Sequence, residues 1–193
     1  MAEKTHSHIL VLGAVRSGKS RYAQQLADGV WKRPLFLATA EVLDDEMAER
    51  VAAHRRARDA HWACMEEPLE IARVISKNPS NADGILVDCV TIWLSNILLK
   101  ENAGAFERRK DDFIEALRAA RQDVILVSNE VGMGIVPDND LARVFRDLAG
   151  QLNQALAAEV DTVVLMVAGL PLSIKGKLSE SHVVSGRGLE KIT

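Results

Sequence analysis

Four apolar residues in a row, Ile9-Leu10-Val11-Leu12, follow a polar start and stop at Gly13. A run so short, bounded by glycine, predicts a strand buried on both faces. From Lys19 the pattern changes to that of a helix, running through Arg21-Tyr22-Ala23-Gln24-Gln25-Leu26-Ala27. The strand signature returns at Leu35–Ala38, Ile85–Asp88, Val124–Val127 and Thr162–Val167. Helical patterns fill the intervals: Asp44 or Asp45 to Arg58, Glu67-Pro68 to Ile75, Thr91 to Lys100, Phe106 to Arg121, and Asn139 to Ala158. In the last of these, Leu141, Phe145, Leu148, Leu152 and Leu156 form one stripe, a candidate subunit contact unless it faces the sheet. Strands alternating with helices, and reading as continuous Val/Ile/Leu runs, predict an α/β fold. Its central sheet is mostly parallel, with helices on both faces. Residues 1–176 are expected to form one domain, and the polar, Gly/Ser-rich stretch at 177–193 a tail.

Composition narrows the class. The 193 residues suffice for one well-buried domain. A net charge of −3 lacks the basic excess of a general nucleic-acid binder, so any anionic ligand needs a local site. Cys64 and Cys89 have no metal-ligand spacing and read as small reduced core residues. No run approaches the roughly 20 apolar residues of a membrane span. The polar start at 1–8 lacks a signal-peptide core, so the cytoplasm is the expected location.

The chemistry begins at Gly13-Ala14-Val15-Arg16-Ser17-Gly18-Lys19-Ser20, a full match to G-x-x-x-x-G-K-S/T between a predicted strand and a predicted helix. Glycines let backbone N–H groups turn inward around a nucleoside triphosphate. Lys19 is placed for the β- and γ-phosphates and Ser20 for Mg²⁺, while Arg16 adds positive charge. Asp88, closing a neighbouring strand, is placed to hold the magnesium shell, or alternatively to cap the helix from Thr91.

Met47, Val51 and His54 share a helix face whose start is acidic and whose end carries Arg55, Arg56 and Arg58. Neighbouring cations disfavour the imidazolium, so His54 should stay neutral, with a lone pair able to attack phosphorus. His6 and His8 are expected in solvent, His182 in the tail, and His61 packed near Trp62.

These motifs, with Leu43–Met47, Ser128–Pro137, Ala142-Arg143, Phe145–Asp147 and Ala149-Gly150, closely resemble the bifunctional adenosylcobinamide kinase/adenosylcobinamide-phosphate guanylyltransferase family. The resemblance covers about Ile9 to Gly176. It implies a RecA-like fold, trimeric assembly and two reactions in cobalamin biosynthesis. A nucleoside triphosphate phosphorylates the aminopropanol arm of adenosylcobinamide; GMP then passes from GTP through a histidine to adenosylcobinamide phosphate. The family's guanylylated histidine falls on His54. Its nucleotide contacts fall on Gly13 to Ser20, on Ala38, Thr39 and Ala40, on Arg55, Arg56, Ala57 and Arg58, and on Glu66 and Asp88. GTP and Mg²⁺ are the implied cofactors, with ATP open for the kinase step. Relatives often begin the loop with Gly-Gly; Ala14 is tolerable here if its φ is negative. The residues alone also admit a P-loop kinase for another small alcohol, or a RecA-like regulatory ATPase.

Overall fold

The computed structural model describes residues 6–41 and 61–177. They form a seven-stranded sheet in the order β3-β2-β4-β5-β1-β6-β7. The strands are β1 (His8–Gly13), β2 (Pro34–Ala38), β3 (Ala63–Glu66), β4 (Gly84–Asp88), β5 (Asp123–Asn129), β6 (Thr162–Val167) and β7 (Leu170–Lys175). The helices are α1 (Lys19–Asp28), α2 (Ile71–Ser76), α3 (Val90–Lys100), α4 (Phe106–Ala119) and α5 (Asp140–Glu159). Every pairing is parallel except β6 with β7. The architecture is the expected mostly parallel sheet with helices on both faces.

Successive strand residues face opposite ways, and the core divides accordingly. Ile9 and Val11 of β1 join Tyr22, Ala23 and Leu26 of α1 on one face. Leu10 joins α2, α3, α4 and α5 on the other. Each fully buried Leu or Ile contributes about 1.5–3 kcal/mol, which is why the central strands read as unbroken apolar runs. The α5 stripe mainly faces this core: Leu152 and Leu156 are buried in it, and Phe145 and Leu148 pack against it. Leu141 and Val144, nearer its start, stay exposed.

The edges depart from the sequence reading. Strands β3 and β7 carry exposed residues throughout, so neither shows the buried-run signature. Cys64, expected in the core, is exposed on β3, whereas Cys89 is buried; neither is in a disulfide. His8, expected in solvent, is buried inside β1, with its Nε2 bonded to the Leu117 carbonyl at 3.0 Å. Helix α2 starts at Ile71 rather than Pro68. The Glu67 carboxylate accepts from the amides of Leu69 and Glu70, holding that stretch as a turn. The expected helix around His54 and the tail from Leu178 lie outside the described residues.

Candidate functional site

In a parallel sheet of this kind, ligands bind at the carboxyl ends of the strands. The register assembles the predicted residues there. Gly13 of β1 is flanked by Asn129 of β5 and Met166 of β6, while Ala38 of β2 is flanked by Glu66 and Asp88.

The phosphate loop occupies the end of β1. Gly18 has φ 90° and caps α1 with no side-chain bond, leaving the first helical amides directed at the loop. Arg16 also has positive φ, whereas Ala14 does not, so the methyl carried in place of a second glycine is accommodated. Gly13 admits no such group: a Cβ there would lie 2.4 Å from Ser17 Oγ. The loop is braced by the Gly169 amide, which donates to the Ser17 carbonyl at 3.2 Å. Lys19 is largely buried, with its ammonium donating to the Ala14 carbonyl at 3.1 Å. Burial pulls its pKa below the ordinary lysine value, opposed by Cys89 and Asp88.

The fit to a metal-bound triphosphate can be judged from the donors present. Ser17 Oγ is buried without a hydrogen-bond partner among the described residues. A phosphate oxygen in the loop would satisfy it. Ser20, in the first turn of α1, and Asp88 are half-buried oxygen donors of the kind Mg²⁺ takes. No group of three or more His, Cys, Asp or Glu side chains suited to a metal occurs among the described residues. Mg²⁺ needs no such cage, because it is usually held by one or two protein groups together with substrate phosphates.

A polar network not recognised in the sequence fixes the floor of the site. The peptide between Asp88 and Cys89 is cis, and α3 begins from Cys89, whose own side chain makes no cap bond. The fully buried Thr39 accepts from the Cys89 amide at 2.9 Å and donates to its carbonyl at 2.7 Å. Asn96 then bonds the carbonyls of Thr39 and Pro68. On the other side, Asn129 donates to Thr91 Oγ1 at 2.7 Å, and its carbonyl accepts from Asn153, which also bonds Ser128. The available signal was polar residues within a mostly apolar helix, Thr91 and Asn96 in α3; Asn153 lies in the amphipathic α5 and does not stand out there.

Of the remaining predicted positions, Ala38 and Ala40 are half-buried and Glu66 is exposed. His54, Arg55, Arg56, Ala57 and Arg58 lie outside the described residues. The segment before them is tied by Glu41 to Lys100 at 2.5 Å. The segment after them is tied by Trp62 Nε1, which donates to Asp28 at 2.7 Å.

Residues 9–174 match the family described as cobinamide kinase / cobinamide phosphate guanyltransferase. The chain is similar to the bifunctional adenosylcobalamin biosynthesis protein CobU of Salmonella typhimurium, with 46% identity over 86% of this chain and 99% of that one. It is likewise similar to the bifunctional protein CobP of Pseudomonas aeruginosa, with 42% identity over 87% of this chain and 97% of the other. Among solved structures, an ATPase of a type III secretion system aligns with a TM-score of 0.51 at 10% identity. The alignment covers 91% of this chain and 60% of that one, a likeness of fold alone.

Proposed function

Given that this chain belongs to the cobinamide kinase / cobinamide phosphate guanyltransferase family, we propose that its guanylyl transfer runs through His54 and uses the same phosphate loop as the kinase reaction. The observation that carries this reading is the loop itself: a buried Lys19, a Ser17 hydroxyl with no partner among the described residues and a helix start without a side-chain cap converge where a triphosphate would lie.

In the kinase step, Gly13 to Ser20 grip the triphosphate and Lys19 neutralises charge on the β- and γ-oxygens. Ser20 and Asp88 would hold Mg²⁺, which supplies further charge neutralisation. The hydroxyl of the aminopropanol arm of adenosylcobinamide attacks the γ-phosphorus and loses its proton, and the nucleoside diphosphate leaves. GTP serves both steps, with ATP as an alternative donor for the first.

In the transfer step, the neutral His54 imidazole attacks the α-phosphorus of GTP. A P–N bond forms, the α–β P–O bond breaks and pyrophosphate leaves. A phosphate oxygen of adenosylcobinamide phosphate then attacks the same phosphorus, breaking the P–N bond and giving adenosylcobinamide-GDP. Arg55, Arg56 and Arg58 disfavour the imidazolium before attack and stabilise the phosphoryl charge during it. Ala38, Thr39, Ala40, Ala57 and Glu66 complete the nucleotide contacts. The working form is a cytoplasmic homotrimer.

Incubation with GTP labelled at the α-phosphate tests the transfer. Wild-type protein should retain acid-labile, alkali-stable label, and His54→Ala should lose it while keeping kinase activity. Persistent labelling of His54→Ala would refute the assignment.

A further inference from the structure

Helix α5 carries a glycine at its middle, Gly150. Glycine is a poorer helix former than alanine, so a glycine at mid-helix invites a reason. Packing among the described residues does not supply one: a Cβ on Gly150 would meet nothing there within 4 Å, and the same holds for Gly134 in the loop after β5. Both glycines border one open groove of about 520 Å³, together with Gly132 and Val136. The remaining lining is polar, with Arg146, Asp147, Gln151 and Gln154 projecting from α5.

The groove is built into the site. Its loop leaves β5 beside the phosphate loop, where the Glu130 amide donates to the Gly13 carbonyl at 3.1 Å. The loop is held by the Glu130 carboxylate on the Gly132 amide and by Arg143 on the carbonyls of Pro137 and Asp138. It also presents Met133 and Ile135 almost fully to solvent, at 82% and 96%. Two large apolar side chains held out beside a polar groove fit a ligand with a broad apolar face and a polar fringe.

We infer that this groove seats the corrin ring of the acceptor, an inference that rests on the cobinamide reading above. A corrinoid is a flat macrocycle fringed with carboxamide arms, one of which carries the hydroxyl that must reach the γ-phosphate. Gly132, Gly134 and Gly150 let a flat ring approach the backbone. Gln151 and Gln154 can each donate to and accept from amide arms, and Arg146 can donate to their carbonyls. Met133, Ile135 and Val136 cover the apolar face. A contact between copies fits less well, because the core of such an interface is depleted of charge and this groove carries Arg146 and Asp147.

Equilibrium dialysis with adenosylcobinamide, read by corrin absorbance, tests the inference on Gly150→Leu and Gln154→Leu, with GTP affinity and light-scattering mass measured alongside. Gly150→Leu places a side chain into open groove space without an internal clash. It should weaken corrinoid binding about tenfold or more, an effect of about 1.4 kcal/mol. GTP affinity, mass and melting temperature should stay at wild-type values. Gln154→Leu should weaken corrinoid binding about threefold, as expected for one lost amide hydrogen bond. Wild-type corrinoid affinity in both variants would overturn the inference. So would a change of assembly mass, which would make the groove a contact between copies. Wild-type protein unable to bind adenosylcobinamide would instead sink the functional reading, and the inference with it.

Discussion

The hydroxyl of Thr39 is bonded to both ends of one residue, accepting from the amide of Cys89 and donating to its carbonyl. Through that clamp the end of β2 fixes the chain immediately after Asp88, the carboxylate assigned to the metal. Thr39→Val keeps the shape and removes both bonds. The Cys89 carbonyl keeps the Trp93 amide, but the Cys89 amide loses its partner, which costs about 1–3 kcal/mol, so the urea midpoint should fall. Kinase activity should fall beyond what the unfolded fraction explains. Thr39→Ser keeps the hydroxyl and should recover most of both; a Val variant as stable and active as wild type would show that the clamp is dispensable.

Lys19 is buried in the loop and bonded to the Ala14 carbonyl. Lys19→Ala should lower both the kinase and the guanylyl-transfer rates by about 10²-fold or more, the scale seen when one preorganised charge-stabilising donor is lost. Parallel assays on one preparation check this. If one activity survived intact, a second nucleotide site would be required.

Gly84, at the start of β4, faces the Trp31 ring. A Cβ there would lie 2.1 Å from Trp31 Cε2, and the buried ring is pinned by its Nε1 bond to Asp123 at 3.2 Å. Gly84→Ala should therefore destabilise by about 1–3 kcal/mol, as overpacking does. Denaturant unfolding measures it, and a midpoint equal to wild type would show that the ring yields. GTP affinity of the folded fraction should be unchanged, because the clash is at the opposite end of the sheet from the phosphate loop.

Asp83 accepts from the Arg33 side chain and from the amides of Lys32 and Arg33. The Arg33 hydrogen bond, foremost, holds its carboxyl below the ordinary aspartate value of 3.8. A carboxylate with a lowered folded pKa contributes stability above its unfolded pKa and loses it as pH falls through the folded one. Carbon-detected NMR titration should place the Asp83 midpoint below 3.8, and Arg33→Ala should move it back up. An unmoved midpoint would break the assignment to Arg33.

Much of this protein was legible in its sequence because the signals are local. An apolar run ending in Gly13, then Gly18-Lys19-Ser20 opening a helix, specifies a strand, an anion-binding turn and α1 within a dozen residues of chain. Buried parallel strands must be apolar on both faces, so β1, β2, β4, β5 and β6 announced themselves. Edge strands have no such obligation. In β3 and β7 exposed residues leave the hydrophobic pattern ambiguous, and only pairing with β2 and β6 makes them strands.

What the tertiary structure alone decided is which distant residues meet. Thr39 and Cys89 are 50 positions apart, and Ser128 and Asn153 are 25 apart. Their bonds exist because parallel register brings strand ends to one edge and lays α5 across them. A polar residue in an apolar stretch shows in sequence only as an exception. Its partner, and therefore whether it is satisfied, depends on the fold. The groove beside the phosphate loop has the same origin: Gly134 and Gly150 are unremarkable apart, and their open space exists only where loop and helix come together.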